Sequence, residues 1–255
     1  MAETVAITRA VSPALADCEL TYQLRVPIDV DVARTQHHAY EQALAAAGYR
    51  IERIDTDSAM PDSVFVEDMA IVFDELAILT RPGADSRKRE MHAIAAALAP
   101  YRPLREIEPP GTVDGGDVLV AGRRVFVGRS TRTNTAAAVQ IRRILRPFGY
   151  TVTETDVQGC LHLKSAVTVL DDDRLLVNPE WIDAAAFDGF TLVDIDPGEP
   201  SGANALRLAD RIVVAEAFPR TADRLAALGL RVERVDASEL AKAEGAVTCC
   251  SLIVP

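Results

Sequence analysis

The chain has 255 residues, 49% of them hydrophobic and 5% aromatic, with a formal net charge of −11. That length buries a substantial core, the acid excess disfavours nucleic acid, whose affinity comes from Lys and Arg neutralising phosphates, and no stretch approaches the roughly 20 apolar residues of a membrane helix. Residues 1–8 show no basic run followed by an apolar core, and the four cysteines, Cys18, Cys160, Cys249 and Cys250, follow neither a zinc spacing nor a disulfide framework, so the expectation is an unexported, cytoplasmic protein with free thiols.

In chain order, a strand is predicted at 5–8, a helix at 31–47 stopped by Gly48, and a strand at 49–54. A strand at 70–73, a turn at Asp74 and Glu75 and a strand at 76–80 lead to a helix at 86–99, with Met91, Ile94, Ala95 and Leu98 on one face, and a strand at 104–107. The same order returns as strands 118–120 and 125–127, helix 134–148 with Ala137, Ile141, Ile144, Leu145 and Phe148 at helical spacing, and strand 150–153. It recurs as strands 166–170 and 175–177, a weaker helix around 181–187 and strand 192–195, then as strands 205–208 and 212–215, helix 221–228 ended by Gly229, and strand 232–235. A strand at 246–254 remains. Joined to the N-terminal segment, it makes one more unit.

The pattern implies about five ββαβ units of roughly 40 to 50 residues closed into a ring, because radial repetition protects sheet edges. The expected fold is a five-bladed pseudo-symmetric α/β propeller, residues 1–255 forming one catalytic domain whose N- and C-terminal segments share a blade. An open parallel sheet is disfavoured, since each unit opens with a hairpin that a parallel crossover would not need.

Polar residues sit at equivalent places near the opening strands, which a ring brings together at its axis. They are Asp62, Glu67 and Asp68 in the first unit, Asp114 to Asp117 in the second, His162 to Lys164 in the third, and Thr248 to Cys250 at the end. A thiolate needs a neighbouring His or a bound cation, which pairs Cys249 with His162. In a strand Cys249 and Cys250 face opposite ways, leaving Cys250 to the core. Asp114 is placed to hold the imidazole's tautomer, although an Asp also serves a Gly115-Gly116 turn. The three acids Asp62, Glu67 and Asp68 repel one another without a cation, and a planar guanidinium matches carboxylates in paired bonds. Arg87 and Arg132 are candidates to clasp a substrate carboxylate; exposed Arg at such places is also commonly solvated.

The stretches PDSVFVED (61–68), TRPGADSR (80–87), DGGD (114–117), RTN (132–134), HLK (162–164) and TCCS (248–251) closely resemble dimethylarginine dimethylaminohydrolases, in order, spacing and total length. The resemblance implies the five-bladed α/β propeller of the guanidino-modifying superfamily and hydrolysis of asymmetric dimethylarginine or monomethylarginine to citrulline and dimethylamine or methylamine. Carried over, Cys249 is the nucleophile that forms an S-alkylthiouronium, His162 the acid and base, and Asp114 its orienting group. Asp62 and Asp68 hold the guanidinium with Glu67 beside them, Arg87 and Arg132 take the α-carboxylate, Leu20 and Phe65 lie at cover and pocket positions, and Ala243 makes a backbone contact. Glu244 stands where the family usually has Asp, and Asp114 is Glu in some relatives. No metal or organic cofactor is implied; the partner is a small cationic molecule, not nucleic acid or membrane, and the chain a monomer or homodimer. The rival readings are another guanidino hydrolase or deiminase of the superfamily, and a non-catalytic propeller that binds another macromolecule.

Overall fold

The computed structural model describes residues 4–56 and 58–255. Strand β1 (Val5–Arg9), helix α1 (Val30–Ala46) and strand β2 (Arg50–Ile54) come first. Next are β3 (Ala70–Val72), β4 (Ala77–Leu79), α2 (Met91–Leu98) and β5 (Leu104–Glu106). The following unit is β6 (Val118–Ala121), β7 (Arg124–Arg129), α3 (Thr135–Leu145) and β8 (Thr151–Asp156). After it come α4 (Leu163–Ala166), β9 (Val167–Val169), β10 (Arg174–Val177) and β11 (Thr191–Asp194). The chain closes with β12 (Ala205–Leu208), β13 (Arg211–Ala215), α5 (Pro219–Ala227), β14 (Val232–Val235), α6 (Ser238–Ala241) and β15 (Leu252–Val254).

These strands form five three-stranded sheets, ordered β3-β4-β5, β6-β7-β8, β9-β10-β11, β12-β13-β14 and β15-β1-β2. In each, the first pair is antiparallel and the second parallel, as a hairpin followed by a crossover dictates in the four sheets built from one continuous stretch of chain. The last sheet takes β15 from one end of the chain and β1 from the other, with Val5 opposite Val254. Hydrophobic cores lie between neighbouring sheets all the way round: Val5, Ile7 and Leu252 with Ala77 and Leu79, Ile71 and Ile78 with Val125 and Val127, Phe126 with Leu175, Leu176 with Val214, and Val213 with Ala6. A core at every junction is the closure of the ring, the five-bladed α/β propeller that the repeat pattern predicts.

The inner strands β3, β6, β9, β12 and β15 surround the axis and line a channel of ≈ 220 Å³. Outer helices cover the junctions through one apolar face; α3 buries Ala137, Ala138, Ile141 and Leu145, and its N-cap Asn134 accepts the N–H of Ala137 at 3.0 Å. Among the described residues no helix is long and apolar enough to cross a membrane.

Three sequence expectations are corrected. The helix around 181–187 is only a 3₁₀ turn, Ala184–Phe187, because Asn178 and Asp183 accept the N–H groups of Glu180 and Ala185 and divert the backbone. The helix at 134–148 stops at Leu145, where Pro147 turns the chain into a 3₁₀ segment. The final strand starts at Leu252 rather than 246; residues 247–250 form a turn, with the N–H of Cys249 bonded to Ala246 O at 3.1 Å.

Candidate active site

Short helical turns that the periodicity does not disclose stand immediately before the inner strands. Phe65 precedes the 3₁₀ turn Val66–Met69 that leads into β3, Asp114 precedes Gly115–Asp117 before β6, and His162 precedes α4 before β9. The turn at 247–250 holds the same place before β15. Pseudo-symmetry therefore carries Asp62, Asp68, Asp114, His162 and Cys249 to one end of the axis. Together with Glu19, Phe65, Arg87, Arg132, Leu161, Ala243, Glu244 and Gly245 they enclose a cavity of ≈ 30 Å³, space for about two water molecules. A molecule of amino-acid size enters only if a wall moves.

The nucleophile candidate is tied down by its backbone. The carbonyl of Cys249 accepts the N–H of Glu67 at 3.1 Å, and the preceding Thr248 bonds through N–H and Oγ1 to Asn204 and through Oγ1 to Glu67. Turn geometry, not strand alternation, separates the two cysteines: Cys249 lines the cavity and Cys250, 2% exposed, packs in the core between the sheets β12-β13-β14 and β15-β1-β2. Burial, then the carboxylates of Glu67 and Asp68, pushes the Cys249 thiol well above its ordinary value.

His162 is buried with Nε2 at 3.2 Å from Asp114 Oδ2 and Nδ1 at 3.8 Å from Asp68 Oδ1. Burial pulls the imidazole down, but Asp68, Asp117 and Asp114 outweigh it and raise its pKa to about 9, so it is cationic at neutral pH. Gly116 makes the approach possible, because a Cβ there would lie 2.6 Å from His162 Nδ1. Asp114 is fixed in turn, its Oδ1 accepting Gly83 N–H at 2.9 Å.

Asp117 is a positioning group to which the sequence reading gives no role. Its Oδ1 accepts Leu163 N–H at 2.9 Å, beside His162, and its Oδ2 accepts the hydroxyls of Ser130 and Thr133 at 2.5 and 2.6 Å. Thr133 Oγ1 then receives Asp114 N–H at 3.2 Å. One carboxylate thus sets the backbones that carry both the imidazole and its partner; its membership of the DGGD stretch is the only signal in the sequence.

Asp62 and Asp68 both line the cavity, in different states. Burial raises Asp62 to about 6, with Arg87 and Glu19 N–H opposing. Burial acts on Asp68 too, but His162, Arg87 and Gly116 N–H hold it below the usual carboxylate range. Phe65 packs its ring against Gly245, where a Cβ would come within 2.1 Å of Cε1. Ala243 is in the wall, and Arg132 reaches the cavity and donates from Nη2 to Thr21 Oγ1 at 3.1 Å.

Four further candidates are held by the protein's own groups. The Glu67 side chain points to the axial channel, pairing with Lys164 at 2.7 Å and accepting from Thr248 at 2.8 Å, so it buttresses the site from below. Arg87 is a buried hub: Nη1 donates to Asp68 at 2.5 Å, Nη2 to Glu90 and to the carbonyls of Asp62 and Phe65, and Nε to Glu90. Its fork is largely spent on the protein's own acids. Leu20 packs against the core between the sheets β12-β13-β14 and β15-β1-β2 and is not in the cavity wall. Glu244 turns its carboxylate to the backbone of residues 21–23. Ligand atoms of Asp68, Asp114 and His162 lie within 4.8 Å of one another, the spacing of a metal triad. Here the two acids face opposite ring nitrogens and already accept Arg87, Gly116 and Gly83 donors, an arrangement that orients an imidazolium.

No family model matches the chain. It is 40% identical over 250 residues to N(G),N(G)-dimethylarginine dimethylaminohydrolase of Streptomyces coelicolor, covering 97% of this chain and 95% of the relative. The chain belongs to the dimethylarginine dimethylaminohydrolase family. A Cys→Ser variant of the Pseudomonas aeruginosa enzyme, complexed with citrulline, superposes with a TM-score of 0.90 at 34% identity, covering 97% and 98% of the two chains. A His→Gly variant of a dimethylarginine dimethylaminohydrolase, as its adduct with S-methyl-L-thiocitrulline, gives 0.93 at 35% identity with the same coverage.

Proposed function

We propose that the chain is a C–N hydrolase, working as a single catalytic domain, that converts asymmetric dimethylarginine or monomethylarginine to citrulline and dimethylamine or methylamine. The observation that carries this reading is that Cys249 and a cationic His162 line one cavity with Asp62, Asp68 and Asp114. The citrulline complex of the Pseudomonas aeruginosa relative and the thiocitrulline adduct agree with it in product and in covalent route.

The resting thiol is held protonated by burial and nearby acids, so the substrate's own charge activates it, the thiol proton passing to solvent because His162 is already protonated. A guanidinium about 4 Å from sulfur, at an effective dielectric of about 20, contributes about 4 kcal/mol, equivalent to about three pKa units. Asp62 and Asp68 hold the guanidinium through paired N–H bonds, and Arg132 takes the α-carboxylate. The Cys249 thiolate attacks the guanidinium carbon, and collapse breaks the bond to the substituted nitrogen, which leaves as neutral amine with the proton of His162. The S-alkylthiouronium remains on Cys249. Neutral His162 then takes a proton from water as its oxygen adds to the same carbon, and expulsion of the thiolate, which takes up the remaining hydroxyl proton, gives citrulline and restores the thiol and the cationic His162. Asp114 keeps the imidazole oriented throughout.

Intact-mass spectrometry of the chain quenched during turnover tests the route. A mass increase localised to Cys249 supports it; a substrate consumed with no modification at Cys249, in both the chain and a His162→Gly variant, excludes it.

A further inference from the structure

Glu244 has φ +59°, alone among the described non-glycine residues in this left-handed region. It ends the turn after α6: its N–H bonds to Ala241 O at 3.1 Å and that of Gly245 to Leu240 O at 3.0 Å. Glycine or asparagine is the usual residue at such a helix end, since a Cβ is disfavoured there. A glutamate in this conformation calls for something its side chain does, and strained backbone of this kind gathers at working sites.

The side chain has a defined task. Its carboxylate accepts three consecutive backbone N–H groups, Thr21 at 3.0 Å, Tyr22 at 2.5 Å and Gln23 at 2.6 Å. Those residues belong to a segment that bridges wall residues of the cavity and covers it in that sense, pinned at its near end by Glu19 N–H on Asp62 at 3.2 Å and by Arg25 on Cys18 O at 2.6 Å. Thr21 also accepts Arg132 Nη2 at 3.1 Å. A chain of contacts therefore runs from Glu244 through Thr21 to Arg132. The cavity, ≈ 30 Å³, has no room for a molecule of amino-acid size with this cover in place.

We infer that Glu244 is a positioning residue, a latch whose carboxylate holds the cover shut and, through Thr21, sets Arg132 to select guanidines that carry an α-carboxylate. This rests on the proposed hydrolysis of methylated arginine. Glu244 touches no reacting atom; it decides how the wall around the substrate closes.

Glu244→Gly separates latch from scaffold, because glycine relieves the left-handed backbone while removing the carboxylate. Its Tm is expected to equal or exceed that of the unsubstituted chain. Yet amide exchange of residues 21–23, measured without substrate, should accelerate about tenfold or more, with other segments unchanged. KM for asymmetric dimethylarginine should rise about tenfold while that for the carboxylate-free dimethylguanidino-butylamine stays level. Glu244→Asp, with a shorter arm bearing the same charge, should restore part of the protection. Unchanged exchange at 21–23 in Glu244→Gly overturns the latch, and a KM that rises equally for both guanidines overturns the link to Arg132. Absence of turnover in the unsubstituted chain defeats the functional reading, and the exchange result still upholds or overturns the latch by itself.

Discussion

Asp114 holds a carboxylate oxygen 3.2 Å from Nε2 of His162. Asp68 faces the other ring nitrogen, and the imidazole is kept cationic with a pKa of about 9 although it is buried. The folded value lies above the unfolded one, so the stabilisation is complete below pH 6.5 and is lost as pH rises through about 9. Thermal melts should show Tm declining across that window, with the decline reduced in His162→Gln. Parallel profiles for the two proteins would contradict the assignment.

Asp62 titrates in the opposite sense for binding. Its pKa is raised to about 6, so it is ionised and able to hold a guanidinium above that pH and neutral below it. The acid limb of kcat/KM is expected to fall as pH drops through about 6. Asp62→Asn should remove that limb and raise KM about tenfold or more, the loss of a charge-assisted pair. A limb that survives the substitution belongs to another group.

Arg87 is expected to act on stability before it acts on affinity. It is 5% exposed and bonded to Asp68 and Glu90, and breaking a buried ion pair costs about 3–5 kcal/mol. Arg87→Ala should lower the urea midpoint accordingly. Arg87→Lys should recover little, because one ammonium cannot replace the fork. A normally stable variant that fails only with carboxylate-bearing substrates would return Arg87 to the role of carboxylate clasp.

Gly116→Ala tests the packing of the imidazole. The added Cβ would lie 2.6 Å from Nδ1 and 2.9 Å from Cγ of His162, and 3.0 Å from Asp68 Oδ1. Displacing the ring by such an overlap should cut kcat about a hundredfold, as misplacement near 1 Å does. Activity close to that of the unsubstituted chain would show that the ring's position is not critical.

The five sheets are legible in the sequence because hairpin, crossover helix and return strand each have a period of their own, and because the shared last sheet follows once the others are counted. The site is legible in its residue types but less so in their directions. Glu67 and Asp68 are adjacent in a 3₁₀ turn, where successive side chains diverge by about a third of a revolution. One therefore meets the axial channel and the other the cavity, a division that depends on Lys164 and Arg87 arriving from other units. Arg87 reads as a clasp for a substrate carboxylate, or as a solvated helix-start residue, and neither reading discloses that Glu90, Asp68 and two carbonyls converge on it. Asp117 carries no local pattern either, since its partner Leu163 is 46 positions away. The Cys249 turn replaces a strand for the same reason: contacts to Asn204 and Glu67 across the ring outweigh local β-propensity.

Product release from asymmetric dimethylarginine tests the central claim most directly. Citrulline and dimethylamine should form in equal amounts, at a rate proportional to protein. Cys249→Ser, with its Tm little changed, should form neither. Equal release by Cys249→Ser, or no release by the unsubstituted chain on dimethylarginine, monomethylarginine or any other guanidine, would contradict it.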